Sequence, residues 1–241
     1  MFLIDENQLG FGIPIDFNGI CWVYPLTIRE ILNISQDQFQ KYLSLLTITK
    51  DDINKITNNE FDGSVFKYLL FQSYYSDTFL MDLKKAFSTF IKEEITFSFE
   101  TEEIIIGEDF KEKRVIKEDN FEDFQNIIRR QNCLKEVQPI PKNENPMQKK
   151  FRIAREKREA AKARTLEANG EKITFFESVE NLICYNIGYN FSNILDLTYF
   201  QFNTLLEKAT NKYNYEMDMQ MIAAGADPKK IKPKIWLTKE K

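Results

Sequence analysis

The sequence contains no histidine among its 241 residues. This absence excludes Ser-His-Asp and Cys-His triads, imidazole general bases and His-ligated zinc or haem, because each needs a ring nitrogen that titrates or ligates near neutral pH. Cysteine is scarce as well: Cys21, Cys133 and Cys184 lie far apart and form no C-x-x-C pair. Such an odd, scattered set is typical of a reducing compartment, where thiols act as small hydrophobic side chains.

Long apolar runs are also missing. None approaches the roughly 18 residues that indicate a membrane-spanning helix, and the first ten residues carry two acids and no base, unlike a signal peptide. We therefore expect a cytoplasmic protein that makes no membrane contact. At 43% hydrophobic and 14% aromatic residues, the chain is too apolar to be disordered and can bury a core.

Motifs for nucleotide and acyl-transfer chemistry are absent too. There is no Walker lysine motif and no Gly-x-Ser-x-Gly elbow, and Gly10-Phe11-Gly12 lacks the third glycine of a dinucleotide loop and precedes a strand pattern. Acids cluster over residues 102–112, without the ordered spacing of a calcium loop. We expect no enzyme activity, no cofactor and no metal site, although carboxylate chemistry remains open because it needs no histidine.

What is present predicts an α+β domain over residues 1–134, since helical and period-two patterns alternate there. Residues 13–24 are typical of a hairpin closed by a two-residue turn at Asn18-Gly19, a pair that tolerates the positive φ angles of a type I′ turn. Capping boxes predict helices that start at Thr27 and Ser35. Further elements are predicted in this order: a helical stretch over 64–91 with a possible break at Ser76-Asp77, strands at 95–99, 104–106 and 114–116, and a short helix capped by Asn120.

The second half of the chain is predicted to be helical. Residues 135–148 contain three prolines and little apolar content, which indicates a linker. A basic helix is expected over 149–170 and an all-helical C-terminal domain over 171–241, with helices that start at Thr174 and Thr198.

Two blocks of opposite net charge lie in different parts of the chain. Between Lys149 and Arg164, eight basic residues face two acids, a net charge of +6, whereas residues 93–123 carry twelve acids and four bases, a net charge of −8. The basic block could neutralise successive phosphates. It lacks Tyr or Trp for base stacking and the whole chain is acidic, at −4, so a solvated helix with internal ion pairs is favoured over nucleic-acid binding. The asymmetry also suggests docking between the two blocks or self-association, which should depend on salt.

Aromatic and methionine residues are concentrated near the C-terminus. Most should be core residues, because stripes at helical spacing usually are. Phe200 lies off the stripe of Phe202, however, and Met219 lies opposite Met217 and Met221, so that apolar residues surround the predicted helix. This arrangement indicates full burial or a partner-binding face, and flexible methionines suit a surface that accepts variable sequences. The candidate partner-binding residues are Lys149, Lys150, Arg152, Arg155, Arg158, Tyr199, Phe200, Phe202, Met217, Met219, Met221 and Trp236.

Several short blocks carry a family resemblance. They are Asp196-Leu197-Thr198-Tyr199-Phe200-Gln201-Phe202, Ala223-Ala224-Gly225-Ala226, Lys234-Ile235-Trp236, Tyr24-Pro25-Leu26-Thr27-Ile28-Arg29-Glu30-Ile31 and Tyr42-Leu43-Ser44-Leu45-Leu46. In pattern and order they resemble tail assembly chaperones of long-tailed bacteriophages that infect low-GC Gram-positive hosts. The blocks cover well under half of the chain, and none is a catalytic fingerprint.

The resemblance implies a non-enzymatic assembly factor in the host cytoplasm. Such proteins coat the tape measure protein, keep it from aggregating and recruit tail tube subunits, so both are expected partners. By analogy, the proline-rich linker would join a tape-measure-binding part to a tube-recruiting part. Two alternatives stay open: a structural tail or baseplate component that remains in the virion, and a nucleic-acid-binding regulator that uses the basic helix.

Overall fold

A computed structural model describes residues 4–58, 61–107, 114–134, 174–185 and 188–227, together with the single residues 147, 150, 154, 158, 231, 233 and 235. The predicted linker 135–148 and basic helix 149–170 therefore lie outside the described residues, except for four isolated positions. The chain divides into two units. Unit 1 is Met1–Glu136 with Ser192–Thr204, and unit 2 is Val137–Phe191 with Leu205–Lys241.

The described elements alternate helices with short strands in the first unit. In chain order they are α1 (Glu6–Phe11), β1 (Ile15–Phe17), β2 (Cys21–Val23), α2 (Ile28–Ile34), α3 (Gln36–Leu46), α4 (Lys50–Thr57), α5 (Val65–Tyr75), α6 (Asp77–Ile91), β3 (Ile95–Ser98), β4 (Glu103–Ile106), β5 (Arg114–Ile116), α7 (Glu118–Gln131), α8 (Phe175–Tyr185), a 3-10 turn (Ile194–Asp196) and α9 (Tyr199–Ala223). The predicted α+β class, with a helical C-terminal region, is confirmed. None of the described helices is long and apolar enough to cross a membrane.

The first hairpin turns at Asn18-Gly19 as predicted, but its loop has three residues instead of the predicted two. Asn18 and Gly19 both have positive φ, and the Ile20 amide donates to the carbonyl oxygen of Phe17 at 2.8 Å. The strands, however, pair Phe17 with Cys21. Ile20 is therefore an extra loop residue, and the one-residue shift exchanges the two faces of the second strand. Cys21 and Val23 are buried, while Trp22 is 49% exposed.

The second sheet has the order β3-β4-β5 and is antiparallel throughout. It packs with α6 and α7 around a cluster of phenylalanine rings. The ring of Phe87 lies 5.2 Å from that of Phe124, 6.2 Å from that of Phe97 and 6.4 Å from that of Phe121. Phe87 and Phe124 are fully buried, so this aromatic cluster forms the centre of the core of unit 1.

Helix boundaries follow the predicted caps with one exception. Ser76 separates α5 from α6 and caps the second helix, which confirms the predicted break. Helix α7, by contrast, begins at Glu118 rather than after Asn120. Asn120 instead occupies the first turn, where its side-chain oxygen accepts from the Lys117 amide at 2.8 Å. An asparagine can accept from an unpaired amide at a helix start either as the N-cap residue or from within the first turn. The prediction assumed the N-cap position for Asn120 and so placed the helix start three residues late.

Residues 192–204 pair with the start of α2 inside unit 1, a placement that the sequence did not indicate. The amide of Ile28 donates to the carbonyl oxygen of Leu197, and the amide of Tyr199 donates to that of Leu26, both at 2.9 Å. The two segments run antiparallel through an isolated bridge between Thr27 and Thr198. Two helix starts, α2 and α9, are thereby fixed against each other.

Side-chain contacts reinforce this pairing. The Arg29 guanidinium lies 2.9 Å from the Asp196 carboxylate, but both side chains are more than half exposed, so the ion pair contributes at most about 1 kcal/mol. The buried ring of Phe39 meets the edge of Tyr199 at 5.2 Å. Gly12, with φ of 68°, allows a close approach, since a Cβ there would lie 2.9 Å from Cγ2 of Thr198. Packing therefore dominates the attachment.

The start of α2 is a complete capping box. The Thr27 hydroxyl accepts from the Glu30 amide at 3.2 Å, and the Glu30 carboxylate accepts from the Thr27 amide at 2.8 Å. The same carboxylate accepts from Nζ of Lys92 at 2.7 Å. Burial alone would raise the pKa of Glu30, but the hydrogen bonds from Lys92 and Thr27 together hold it below its usual value. Glu30 is therefore ionised at neutral pH. Its carboxylate links the start of α2 to Lys92, the residue that follows α6.

Thr27→Ala should lower the free energy of unfolding of unit 1 by about 1–2 kcal/mol, because it leaves a first-turn amide without its cap. Thr27→Ser keeps the hydroxyl and should behave almost as the wild type. Urea unfolding followed by far-UV circular dichroism measures both. Equal losses in the two variants would contradict the capping explanation and would assign the effect to the lost methyl group.

Candidate protein-binding surfaces

The part of α9 that belongs to unit 2 exposes an apolar stripe. Tyr213, Met217 and Met221 are spaced by four residues and so lie on one side of the helix. Their exposed fractions are 43%, 39% and 50%. We call these three residues the methionine face. Met219, at 43% exposed, points to another side of the same helix.

Within unit 2, an aromatic contact supports Tyr213, the first residue of the methionine face. The ring of Tyr185, near the end of α8, lies 5.3 Å from the ring of Tyr213. Helix α8 starts as predicted, since the Thr174 amide donates to the Glu177 carboxylate at 2.7 Å and the Glu177 amide donates back to Thr174. The hydrogen bonds from Thr174 lower the pKa of Glu177. The cap thus fixes the helix that supports Tyr213.

Helix α8 buries one narrow side. Val179 and Leu182 are its buried residues. Phe176 is 60% exposed and stacks at 6.1 Å on the ring of Phe191, itself 54% exposed. The start of α8 and the segment that follows it thus each expose a large aromatic side chain.

The other candidate partner-binding residues fall into three groups. Phe202 is only 2% exposed, and Tyr199 and Phe200 are partly buried against the core of unit 1; burial also raises the pKa of Tyr199. Lys150 and Arg158 are exposed. Lys149, Arg152, Arg155 and Trp236 lie outside the described residues. Partner binding by each of these residues stays a prediction, but Tyr199, Phe200 and Phe202 already have a packing role.

Sequence reasoning missed a second apolar surface, on unit 1. Phe71, Tyr74 and Tyr75 of α5 are 59%, 65% and 71% exposed. The Tyr74 ring meets the Phe99 ring at 5.4 Å and the Tyr75 ring at 5.1 Å, and Tyr75 lies 4.7 Å from Phe71. We call these four residues the aromatic groove. It encloses about 320 Å³ and is completed by Lys67, Leu70 and Glu102.

Charges at the groove are unbalanced. Nζ of Lys67 lies 3.3 Å from the Glu118 carboxylate and 3.9 Å from that of Glu102. A single ammonium thus faces two carboxylates, and all three side chains are about half exposed or more. A hydrogen bond from Ser64, followed by the contact with Lys67, lowers the pKa of Glu118, so this carboxylate is ionised at neutral pH.

The sequence did contain a signal for this groove. Helix α5 is apolar on nearly every side: its buried residues Phe66, Leu69 and Leu70 already form a complete core-facing stripe. Phe71, Tyr74 and Tyr75 are therefore surplus to the core. The criterion that indicated a partner face on the last helix, apolar residues all round, applies equally to α5.

Candidate sites for chemistry are few in the described part of the chain. Its Cys, Asp and Glu residues form no group of three or more that could hold a metal ion. In the predicted acidic cluster, Glu103 is buried and pairs with Lys117 at 2.8 Å, while Glu102 belongs to the groove. Burial, with a contribution from Glu93, raises the pKa of Cys21 to about 12, so that thiol is protonated and unreactive at neutral pH.

Residues 167–241 match the family model of the YomV second domain. The match spans less than a third of the chain and includes both α8 and α9, and hence the methionine face. It indicates a phage-derived domain family for this part of the protein. Neither the curated proteins nor the solved structures contain a match to the chain.

Proposed function

We propose that this protein is a non-enzymatic phage tail assembly chaperone that binds the tape measure protein through the methionine face and recruits tail tube subunits. The observation that carries the proposal is the exposure of Tyr213, Met217 and Met221 on one side of a helix inside the region that matches a phage-derived domain. An exposed apolar stripe of this kind fits an apolar helix from another protein.

The chemistry of the stripe suits a transient contact with a long and variable partner. Methionine is unbranched and polarizable, so it adapts to differently shaped side chains without one fixed geometry. Polar residues flank the stripe on the same helix, and Lys212 pairs with Glu216 at 3.8 Å. We infer that such a face shields successive apolar segments of the tape measure protein and releases them when tube subunits assemble.

Met217→Gln/Met221→Gln should reduce capture of the tape measure protein at least ten-fold in co-expression and pull-down, as expected for central contact residues. Glutamine matches methionine in length and helix propensity, so the fold should be unchanged. Met81→Gln is the matched control, because Met81 is 59% exposed on α6. Undiminished capture by the double variant would contradict the proposed role of this face.

Mass spectrometry of purified virions distinguishes the chaperone from a structural tail component. A chaperone should be present in infected-cell extracts and missing from the mature particle. Stoichiometric amounts of the chain in purified virions would overturn the chaperone assignment in favour of a tail or baseplate component.

A further inference from the structure

The aromatic groove on unit 1 has the shape and composition of a docking site. Three of its four rings are more than half exposed, although their backbone positions on α5 are fixed by the buried Phe66, Leu69 and Leu70. Side chains of this size rarely stay clustered and exposed on a protein surface without an interaction role. Among the residues that line the groove, Leu70 is the aliphatic one, and it is only 6% exposed.

The charges at the rim identify the kind of partner. Two carboxylates, Glu102 and Glu118, share one ammonium group, that of Lys67. These three side chains therefore carry a net charge of −1 at the groove. An acidic partner would be repelled, whereas a cationic one gains attraction and finds exposed ring faces suited to cation–π contacts.

We propose that the aromatic groove binds a segment of another protein in which arginine or lysine stands next to a large aliphatic side chain. The aliphatic group fills the depression between Phe71, Tyr74 and Phe99. The cationic group lies over the ring of Tyr74 or Tyr75 and pairs with Glu102. This inference does not depend on the proposed function, because it concerns unit 1 and uses none of the residues of the methionine face.

A selection experiment tests the proposal on the full chain. A random twelve-residue peptide library, displayed as mRNA fusions, is enriched on the wild type and on Tyr74→Ala/Tyr75→Ala. We expect enriched peptides with arginine or lysine beside leucine, isoleucine or methionine, and a loss of at least ten-fold in their affinity for the double variant. Glu102→Lys should weaken the same peptides, and raising sodium chloride from 50 to 500 mM should weaken them for the wild type.

Phe11→Ala is the control, because Phe11 is 76% exposed on α1 and does not line the groove. Peptides that bind this variant as they bind the wild type support the proposal, provided that circular dichroism shows every variant folded. Enrichment of acidic or uncharged peptides, or affinities that Tyr74→Ala/Tyr75→Ala leaves unchanged, would overturn it. So would sedimentation showing a wild-type dimer that this double variant dissociates, since a second copy would then occupy the groove.

Discussion

Phe87→Ala should lower the free energy of unfolding of unit 1 by about 3–5 kcal/mol, one of the two largest effects that we expect from a single substitution. The Phe87 ring is fully buried and contacts three other phenylalanine rings, from β3 and α7. Removing it leaves a cavity that those rings cannot fill without breaking their own contacts. Urea unfolding, followed by far-UV circular dichroism and by hydrogen exchange of peptides from α6 and α7, measures the loss.

Phe71→Ala is the matched control for this prediction. Phe71 is also a helical phenylalanine of unit 1 but is 59% exposed, so its removal should cost at most about 1 kcal/mol. A loss at Phe71 equal to that at Phe87 would contradict our assignment of the core. It would also show that the aromatic groove is a structural element of unit 1 rather than a surface available to a partner.

Local signals in the sequence were sufficient for most elements of unit 1. The caps at Thr27, Ser35 and Ser76 each place a side-chain oxygen where an orphan amide needs it, and the structure shows those bonds. Such signals depend on residues three positions apart, which a sequence displays directly. The strand register is different, because it depends on whether Ile20 belongs to the turn or to the strand. Long-range packing decides that choice, and the burial of Cys21 and Val23 shows which alternative it favours.

The candidate binding surfaces show the same difference between local sequence signals and long-range contacts. Periodicity alone located Met217 and Met221 on one side of a helix, and the structure leaves them exposed. It did not indicate that Tyr74 is exposed. Residues 192–204 join unit 1 across more than 160 positions of sequence, and no local pattern reports such a contact. Tyr74 was overlooked because an apolar helix is normally assigned to the core.

Two of the five blocks that carried the resemblance in the sequence, residues 24–31 and 196–202, meet in the structure. Each contains Leu-Thr followed by a capping Glu or Gln, at Leu26-Thr27 and at Leu197-Thr198. An N-cap residue has extended backbone, so two such starts can pair as a short antiparallel bridge. The shared pattern therefore has a structural explanation. The two blocks pair with each other and form one joint, by which we mean the antiparallel bridge between the start of α2 and the start of α9.

Phe202→Ala tests whether this joint is structural or partner-binding. Phe202 is 2% exposed, so its replacement should cost about 3–5 kcal/mol of unfolding free energy and should accelerate hydrogen exchange at Leu26–Ile28, whose amides and carbonyls pair with residues 197–199. Met217→Ala, on the same helix but 39% exposed, should change stability by no more than about 0.5 kcal/mol. Similar stability in the two variants, with lost partner capture in Phe202→Ala, would instead assign Phe202 to the binding surface. The expected result separates the two ends of α9, because its first turn would anchor the helix in unit 1 and its later turns would present the methionine face.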